Sequence, residues 1–356
     1  MGGIEQFIFQ LARGGRSHGI ESTVLSLSKV AKKHHTQMEG HDAHQAKTHF
    51  QIASTPFSFS SFKKFTELAL EADVIHYQFP WPFMDVVHFA TQHKKPTIVS
   101  YQSDIVRQKN LLRFYRPLQQ KFLASVDRIV ATSPNYLVTS EVLNRFSDKV
   151  SIIPIGLDKQ SYPSPTPQTI STWQTKFNGR FFLFVGVLRY YKGLHILIEA
   201  VRGLDYPIVI VGAGPIEQAL KAQAAALGLN NIHFLGQVSD EDKVALLTLC
   251  YGMVFPSHLR SEAFGISLLE GAMYGKPMIS SEIGTGTTFI NIADETGLVV
   301  PPSDPLALRQ AMQYLWHHPE QAAKMGKHAE QRYWDYFTAD KMVSAYAKLY
   351  RELAQK

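Results

Sequence analysis

The chain carries one cysteine, Cys250, in 356 residues. That excludes an internal disulfide framework and fits a reducing, cytoplasmic compartment. Long apolar runs are also missing, since "FFLFVGVL" and "VALLTLCYGMVF" are too short to cross a bilayer. The opening "MGGIEQFIFQLARGG" lacks a basic start and repeats its apolar residues at helical spacing, so no secretory signal is expected. No internal repeat or low-complexity tract appears. His34, His35, His41, His44 and His49 fall in a polar stretch without a second ligand cluster of regular spacing. A solvated loop is expected there rather than a zinc site. Net charge is +6 with 19% charged residues, which suits anionic partners without choosing among nucleotide, nucleic acid and acidic membrane surface.

What is present is alternation. Short β-rich runs ("STVLSLS", "DVIHYQF", "PTIVSY", "RIVATS", "VSIIPIG", then "RFFLFVGVL", "YPIVIVGAG", "NIHFLGQV", "YGMVFPS", "PMISSE") interleave with amphipathic stretches such as "GPIEQALKAQAAALG". Nearly continuous apolar strands separated by helices argue for parallel sheets covered on both faces. The chain is long enough for two α/β domains with a cleft between them. "DKQSYPSPTPQTISTW" breaks the pattern with three prolines and many hydroxyl residues and reads as a linker. The expected division is residues 1–158, a linker at 159–175, residues 176–336, and a last helix at 337–356 packing back on the first domain.

Four segments of the second half carry chemistry. "SEAFGISLLEGAMYGKP" places Glu262 before a helix expected to begin near Gly265, and Glu270 about two turns along it. The first helical turn offers unpaired N–H groups and the positive end of a dipole, an anion site. Carboxylates beside it suit neutral hydroxyls, so the segment suggests a ligand with both phosphate and polyol; two solvated glutamates explain it equally well taken alone. "IVIVGAGPIEQAL" is a strand, a turn with Gly212 and Gly214, and a helix with Pro215 expected at its first position. Glu217 stands where a dinucleotide fingerprint has its third glycine, and "NIHFLGQV" ends without a ribose-binding acid, which argues against a dehydrogenase. "FVGVLRYYKGLHILIEA" sets Arg189 and Lys192 between a strand and a helix, where cations suit a diphosphate; a solvated turn is the alternative. In "VSDEDKVALL", Asp240 and Asp242 look like a metal pair, but Ser239 followed by Asp242 reads as a helix cap.

In their order and spacing, "GVLRYYKG", "GAGP", "FLGQVSDEDK", "SEAFGISLLEGAMYGKP" and "ETGLVVPPSDPLALRQAM" resemble the donor half of GT-B glycosyltransferases of retaining family 4. They span nearly all of residues 180–315, and Glu262 and Glu270 match that family's E-x7-E motif. "GGIEQFIFQLARG" and "SPNYL…IIPIGLD" resemble its acceptor half. The resemblance implies two Rossmann-like, doubly wound domains facing a cleft. Glu262 would hydrogen-bond donor-sugar hydroxyls with the N–H groups of Phe264, Gly265 and Ile266. Glu270 would hold the ribose, Arg189 and Lys192 the departing diphosphate, Gly212 and Gly214 the donor turn, and the backbone near Val238 the base. Gly3, Gln102 and Asp104 would lie on the acceptor and sugar side. His76, ending a strand that faces the expected cleft, is a candidate acceptor contact, and a satisfied structural histidine explains it equally well. No cofactor or metal is expected beyond the nucleotide-diphosphate sugar substrate. Retention is ascribed in this family to front-face attack, with the leaving phosphate taking the acceptor proton.

The implied partners are a nucleotide sugar and a glycan or lipid-linked acceptor, with no nucleic acid. "EIGTGTTFIN" resembles members that build O-antigen or capsule from GDP-mannose-type donors. "DIVRQKNLLRFYRPLQQKFL", with Arg107, Lys109, Arg113, Arg116 and Lys121, suits an anionic leaflet or a lipid diphosphate, and equally a solvated helix face. Three departures stand out. Gln102 occupies the place of a histidine before Ser-Asp, and it cannot titrate near neutrality. Val187 occupies the place where many members have arginine, with Arg189 two residues on. The family's first strand, central in its sheet, is not found before "GGIEQ", so a truncated start is expected. A sucrose- or glycogen-synthase-like enzyme and a non-catalytic polysaccharide-assembly protein are the rival readings.

Overall fold

A computed structural model describes residues 3–29, 35–38, 40–52, 55–105 and 109–355. The chain divides into two compact units, Met1–Gly156 with Ala339–Lys356, and Leu157–Thr338.

In the first unit, the strands Ile75–Phe79, Thr97–Tyr101, Arg128–Ala131 and Val150–Ile152 form a parallel sheet in that order. Thr97–Tyr101 is buried at every position, as its apolar run requires. A second sheet pairs Ser22–Ser28 in parallel with His41–Lys47, flanked by antiparallel His35–Met38. His35, His41 and His44 therefore lie in strands rather than a loop, and His41 is buried, whereas His49 follows His41–Lys47 in a loop and is exposed. His41–Lys47 lacks apolar alternation, and its parallel pairing with Ser22–Ser28 extends it. His34 lies outside the described residues. Among the described residues, Ser22–Ser28 and Ile75–Phe79 each pair on one side, so the parallel strands are divided between two sheets. The helix Ala339–Ala354 packs on Gly3–Gly15 so closely that a Cβ on Gly14 would lie 2.7 Å from Val343 Cγ2.

The second unit holds one six-stranded parallel sheet. Its order is Ile232–Gly236, Ile208–Val211, Phe182–Val185, Gly252–Phe255, Met278–Ser281, Gly297–Val300. The first strand in sequence sits third in the sheet, between the second and the fourth in sequence. Strand order therefore reverses at the pair Phe182–Val185 and Gly252–Phe255, and loops leaving their carboxyl ends diverge to open a crevice. Phe182, Leu183, Phe184, Met253 and Val254 are fully buried, so this pair is also the rigid centre of the unit.

Two local expectations are corrected here. The stretch expected as a linker carries the helix Pro167–Lys176. Thr166 caps it by accepting the Thr169 N–H, and Pro167 takes the first helical position, where proline costs nothing. One of the prolines that read as breakers, Pro167, therefore starts a helix. Pro215 is not at a first helical position either; the helix following it is Glu217–Ala226. The preceding residues bond sideways instead, with Ala213 C=O accepting the Leu188 N–H at 3.1 Å.

Candidate donor site in the second unit

The two loops at the reversal point are held together by backbone. Gly193 has φ +71°, and a Cβ there would lie 1.9 Å from the Pro256 carbonyl oxygen, so only glycine lets these chains pass. His258 N–H donates to Tyr191 C=O at 3.0 Å. His258 Nε2–H donates to Tyr190 C=O at 3.1 Å, which leaves Nδ1 to accept from the Ser303 hydroxyl at 2.9 Å. Burial lowers the His258 pKa, so the ring works as a neutral staple. On the other side the 212–214 turn presses in: a Cβ on Gly214 would meet Leu188 O at 2.3 Å. Gly212 N–H donates to Gly236 C=O at 2.7 Å, which sets the partly buried Val238 two residues beyond this seam.

That seam brings Lys192 Nζ into direct contact with Glu262 Oε2. Each side chain is only 11% exposed. The Ser257 hydroxyl donates to the same oxygen at 3.2 Å, leaving Oε1 without a hydrogen-bond donor among the described residues. Phe255 places its ring 4.8 Å from Lys192 Nζ. The sequence reading gives Lys192 to a diphosphate and Glu262 to a sugar as separate groups. In the structure they are one ion pair, because a desolvated cation and a desolvated carboxylate each need a partner. Arg189 is exposed, and its guanidinium has no ion pair or hydrogen bond among the described residues.

Immediately after Glu262 the helix Ile266–Met273 begins, with Gly265 at φ +97° as its cap. The N–H groups of Phe264, Gly265 and Ile266 donate to no protein acceptor among the described residues. Phe264 is buried with its ring against Phe337, 6.1 Å between centroids, which fixes the direction of this backbone. Three free donors at a helix start, beside the lysine that pairs with Glu262, make a site for an anion.

Glu270 lies in the same helix, 5% exposed. Its Oε1 accepts from Tyr162 Oη at 3.0 Å and from Lys243 Nζ at 3.0 Å. Sequence reasoning missed both donors. Tyr162 was hidden in the presumed linker. Lys243 follows the cap that Ser239 makes by accepting the Asp242 N–H at 3.0 Å, and the cap reading absorbed the whole segment. Asp240 lies 3.4 Å from Lys243 Nζ and belongs to the same cluster.

Residues 168–332 match the family described as glycosyl transferases group 1, and residues 1–161 match glycosyltransferase family 4. A D-rhamnosyltransferase of Pseudomonas aeruginosa is 63% identical over 339 residues, covering 95% of this chain and 89% of that protein. The chain is a family 4 glycosyltransferase. The O-antigen chain mannosyltransferase C of Escherichia coli is 47% identical over 354 residues, 99% of this chain and 95% of its own. A sucrose-phosphate synthase from Thermosynechococcus elongatus superposes with a TM-score of 0.82 at 21% identity, covering 99% of this chain and 94% of that one. That likeness shows the GT-B fold.

The glycosyltransferase's first unit treats the acceptor-side residues differently. His76 has both ring nitrogens engaged, Nδ1 with Tyr350 Oη at 2.6 Å and Nε2 with Ser100 Oγ at 2.7 Å. Phe7, Tyr346 and Tyr350 surround its ring, and burial pushes its pKa down to about 3. With both ring nitrogens bonded to protein groups, His76 takes the form of the structural histidine that was one of its two readings: a strand-end histidine is captured by whichever helix packs over it. Gln102 Nε2 donates to Gln78 Oε1 at 3.0 Å, and Gln78 Nε2 lies 3.3 Å from His76 Nε2, so Gln102 ends this same chain of contacts. Asp104 Oδ1 accepts from Tyr101 Oη at 2.9 Å and from Ser140 Oγ at 2.8 Å, while its N–H donates to Tyr136 Oη at 2.6 Å. Those bonds anchor the loop after the Thr97–Tyr101 strand. Gly3 opens the Gly3–Gly15 helix and is exposed. In the helix Lys109–Ser125, Arg113, Arg116 and Lys121 are exposed, and Phe114 is 86% exposed. Arg107 and the side chain of Lys109 lie outside the described residues. No helix among the described residues is long and apolar enough to cross a membrane.

Proposed function

We propose that this glycosyltransferase moves a mannose-type sugar, with retention, from a nucleoside-diphosphate donor to a glycan or lipid-linked acceptor of a bacterial surface polysaccharide such as O-antigen. The observation that carries the reading is the row of unpaired N–H groups at Phe264, Gly265 and Ile266 beside the Lys192–Glu262 pair. D-Rhamnose is 6-deoxy-D-mannose, so the two relatives named above handle one sugar configuration. A GDP-linked donor follows as the favoured expectation.

The chemistry follows from where charge develops. As the C1–O bond to the diphosphate breaks, positive charge grows on the sugar ring and negative charge on the leaving group. The free N–H groups, Arg189 and Lys192 stabilise that negative charge without reorganising, a contribution of several kcal/mol by analogy with oxyanion sites. Glu262 keeps Oε1 for a sugar hydroxyl while Lys192 holds Oε2. When phosphate draws Lys192 away, Glu262 gains acceptor capacity for the sugar, so the pair exchanges its mutual contact for two ligand contacts. Protein cations suffice for this, with no metal required. The leaving phosphate oxygen takes the acceptor proton, consistent with Gln102 in place of a titrating side chain. The basic, Phe114-bearing face of the Lys109–Ser125 helix is assigned to peripheral contact with an anionic membrane surface that carries the acceptor.

A thermal-shift panel of GDP, UDP and dTDP tests the donor. A ligand at 100 times its dissociation constant stabilises by about 2.7 kcal/mol, enough to rank the bases. Hydrolysis or transfer of the matching sugar nucleotide separates an enzyme from an assembly scaffold. If all three nucleotides leave the melting temperature unchanged and no sugar is released, the proposal fails.

A further inference from the structure

We infer that Tyr162 and Lys243 are positioning residues for Glu270, fixing which carboxylate oxygen it presents to the ribose of the donor; this rests on the ribose reading of Glu270. Both donors converge on Oε1, at 3.0 Å each. An ionised carboxylate oxygen has two lone pairs in its plane, so Oε1 is filled. Oε2 has no hydrogen-bond donor among the described residues, and it is not among the sealed, unsatisfied atoms. The ligand is therefore offered one oxygen in one orientation.

The two donors are themselves held. Lys243 Nζ sits 5.1 Å from the Tyr162 ring centroid, so the pair packs as a unit. The residues just before Lys243 tie down the Tyr162 segment. Glu241 Oε1 accepts from Thr166 N–H at 2.9 Å and from the Thr169 hydroxyl at 2.6 Å. Asp242 Oδ1 accepts from Trp173 Nε1 at 2.8 Å. Three successive residues of the helix Asp240–Leu249 thus fasten the Pro167–Lys176 helix, the segment before it, and Glu270 into one frame. A surface ion pair would need no such frame. Glu270 is 7% exposed in its side chain and Lys243 is 20% exposed, so the contact is largely shielded from solvent.

The test compares binding of GDP with 2′-deoxy-GDP, and of UDP with 2′-deoxy-UDP, by titration calorimetry. The proteins are wild type, Tyr162→Phe, Lys243→Met, Lys243→Arg and Glu270→Gln. Wild type should prefer the ribonucleotide about tenfold, the worth of a hydrogen bond to a charged group. Tyr162→Phe and Lys243→Met should lose most of that preference through weaker ribonucleotide binding, with 2′-deoxynucleotide affinity nearly unchanged. Lys243→Arg should recover part of it. A purely structural role would instead weaken both nucleotides alike. If Glu270→Gln abolishes the preference while Tyr162→Phe and Lys243→Met keep it, the positioning role is overturned and the ribose reading stands. If Glu270→Gln leaves the preference intact, or wild type binds none of the four nucleotides, both fall.

Discussion

Replacing Lys192 with methionine keeps the length of the side chain and removes its charge. It leaves Glu262 ionised, largely desolvated, and held only by the Ser257 hydroxyl. Both partners are 11% exposed, so solvent screens the pair weakly. Removing one member of such a pair costs about 3–5 kcal/mol, most of it the penalty of the charge left behind. The Ser257 bond places the expected loss near the lower end, about 3 kcal/mol. For a unit of this size each kcal/mol lowers the melting temperature by about 2–4 °C, so a fall of roughly 6–12 °C is expected. Trp173, Trp316 and Trp334 lie in the second unit and Trp81 in the first, so tryptophan fluorescence follows chiefly the affected unit. Adding Glu262→Gln removes the orphan charge and should restore most of the stability. It should not restore transfer, which should stay down by about 10²–10³ in kcat, as for loss of a leaving-group stabiliser. A Lys192→Met protein that melts within a degree of wild type would refute the reasoning. So would a double variant no more stable than the single.

Three further outcomes follow from the same geometry. Gly193→Ala places a Cβ against the Pro256 carbonyl at positive φ and should cost at least about 1–3 kcal/mol. It should also weaken nucleotide binding, read by calorimetry, because it parts the loops that bring Lys192 to Glu262. Asp85, fully buried with Tyr115 Oη donating to its Oδ2, has its pKa pushed up to about 8, mainly by desolvation. The folded chain therefore holds a proton that the unfolded chain has released, and stability falls as pH rises toward 8, by up to ~1.4 kcal/mol per unit. Asp85→Asn should flatten the melting temperature between about pH 7 and 8, above the range in which the unfolded chain's His76 takes up its proton. His76 behaves oppositely: its folded pKa is depressed, so its contribution is present above about 6.5 and is lost as pH falls toward 3. His76→Ala should lower stability by about 2–3 kcal/mol through lost packing and the stranded Tyr350 and Ser100 hydroxyls, while leaving the Michaelis constant for acceptor unchanged.

Much of this protein was legible in its sequence because the governing interactions are local. Apolar runs alternating with helical periods required parallel sheets, and the start of the Ile266–Met273 helix was set by Gly265 and the residues beside it. Glu262 before that helix and Glu270 within it follow from chain connectivity alone. Cap chemistry was readable at Ser239, yet the same chemistry at Thr166 and Pro167 was masked by neighbouring prolines that suggested a linker. The polar stretch around His41 became strand because a neighbour pairs with it, a fact no window of residues contains.

What only the tertiary structure decided is which charges meet. Lys192 and Glu262 are far apart along the chain and join because the strands before them are neighbours where the sheet order reverses. Tyr162 and Lys243 reach Glu270 from segments distant along the chain, the one before the Pro167–Lys176 helix and the Asp240–Leu249 helix. His76 looks like a ligand residue on its strand and becomes a hydrogen-bonded structural residue once the Ala339–Ala354 helix packs over it. Periodicity and turn residues act over a few positions, whereas desolvation and ion pairing depend on which segments the completed fold presses together.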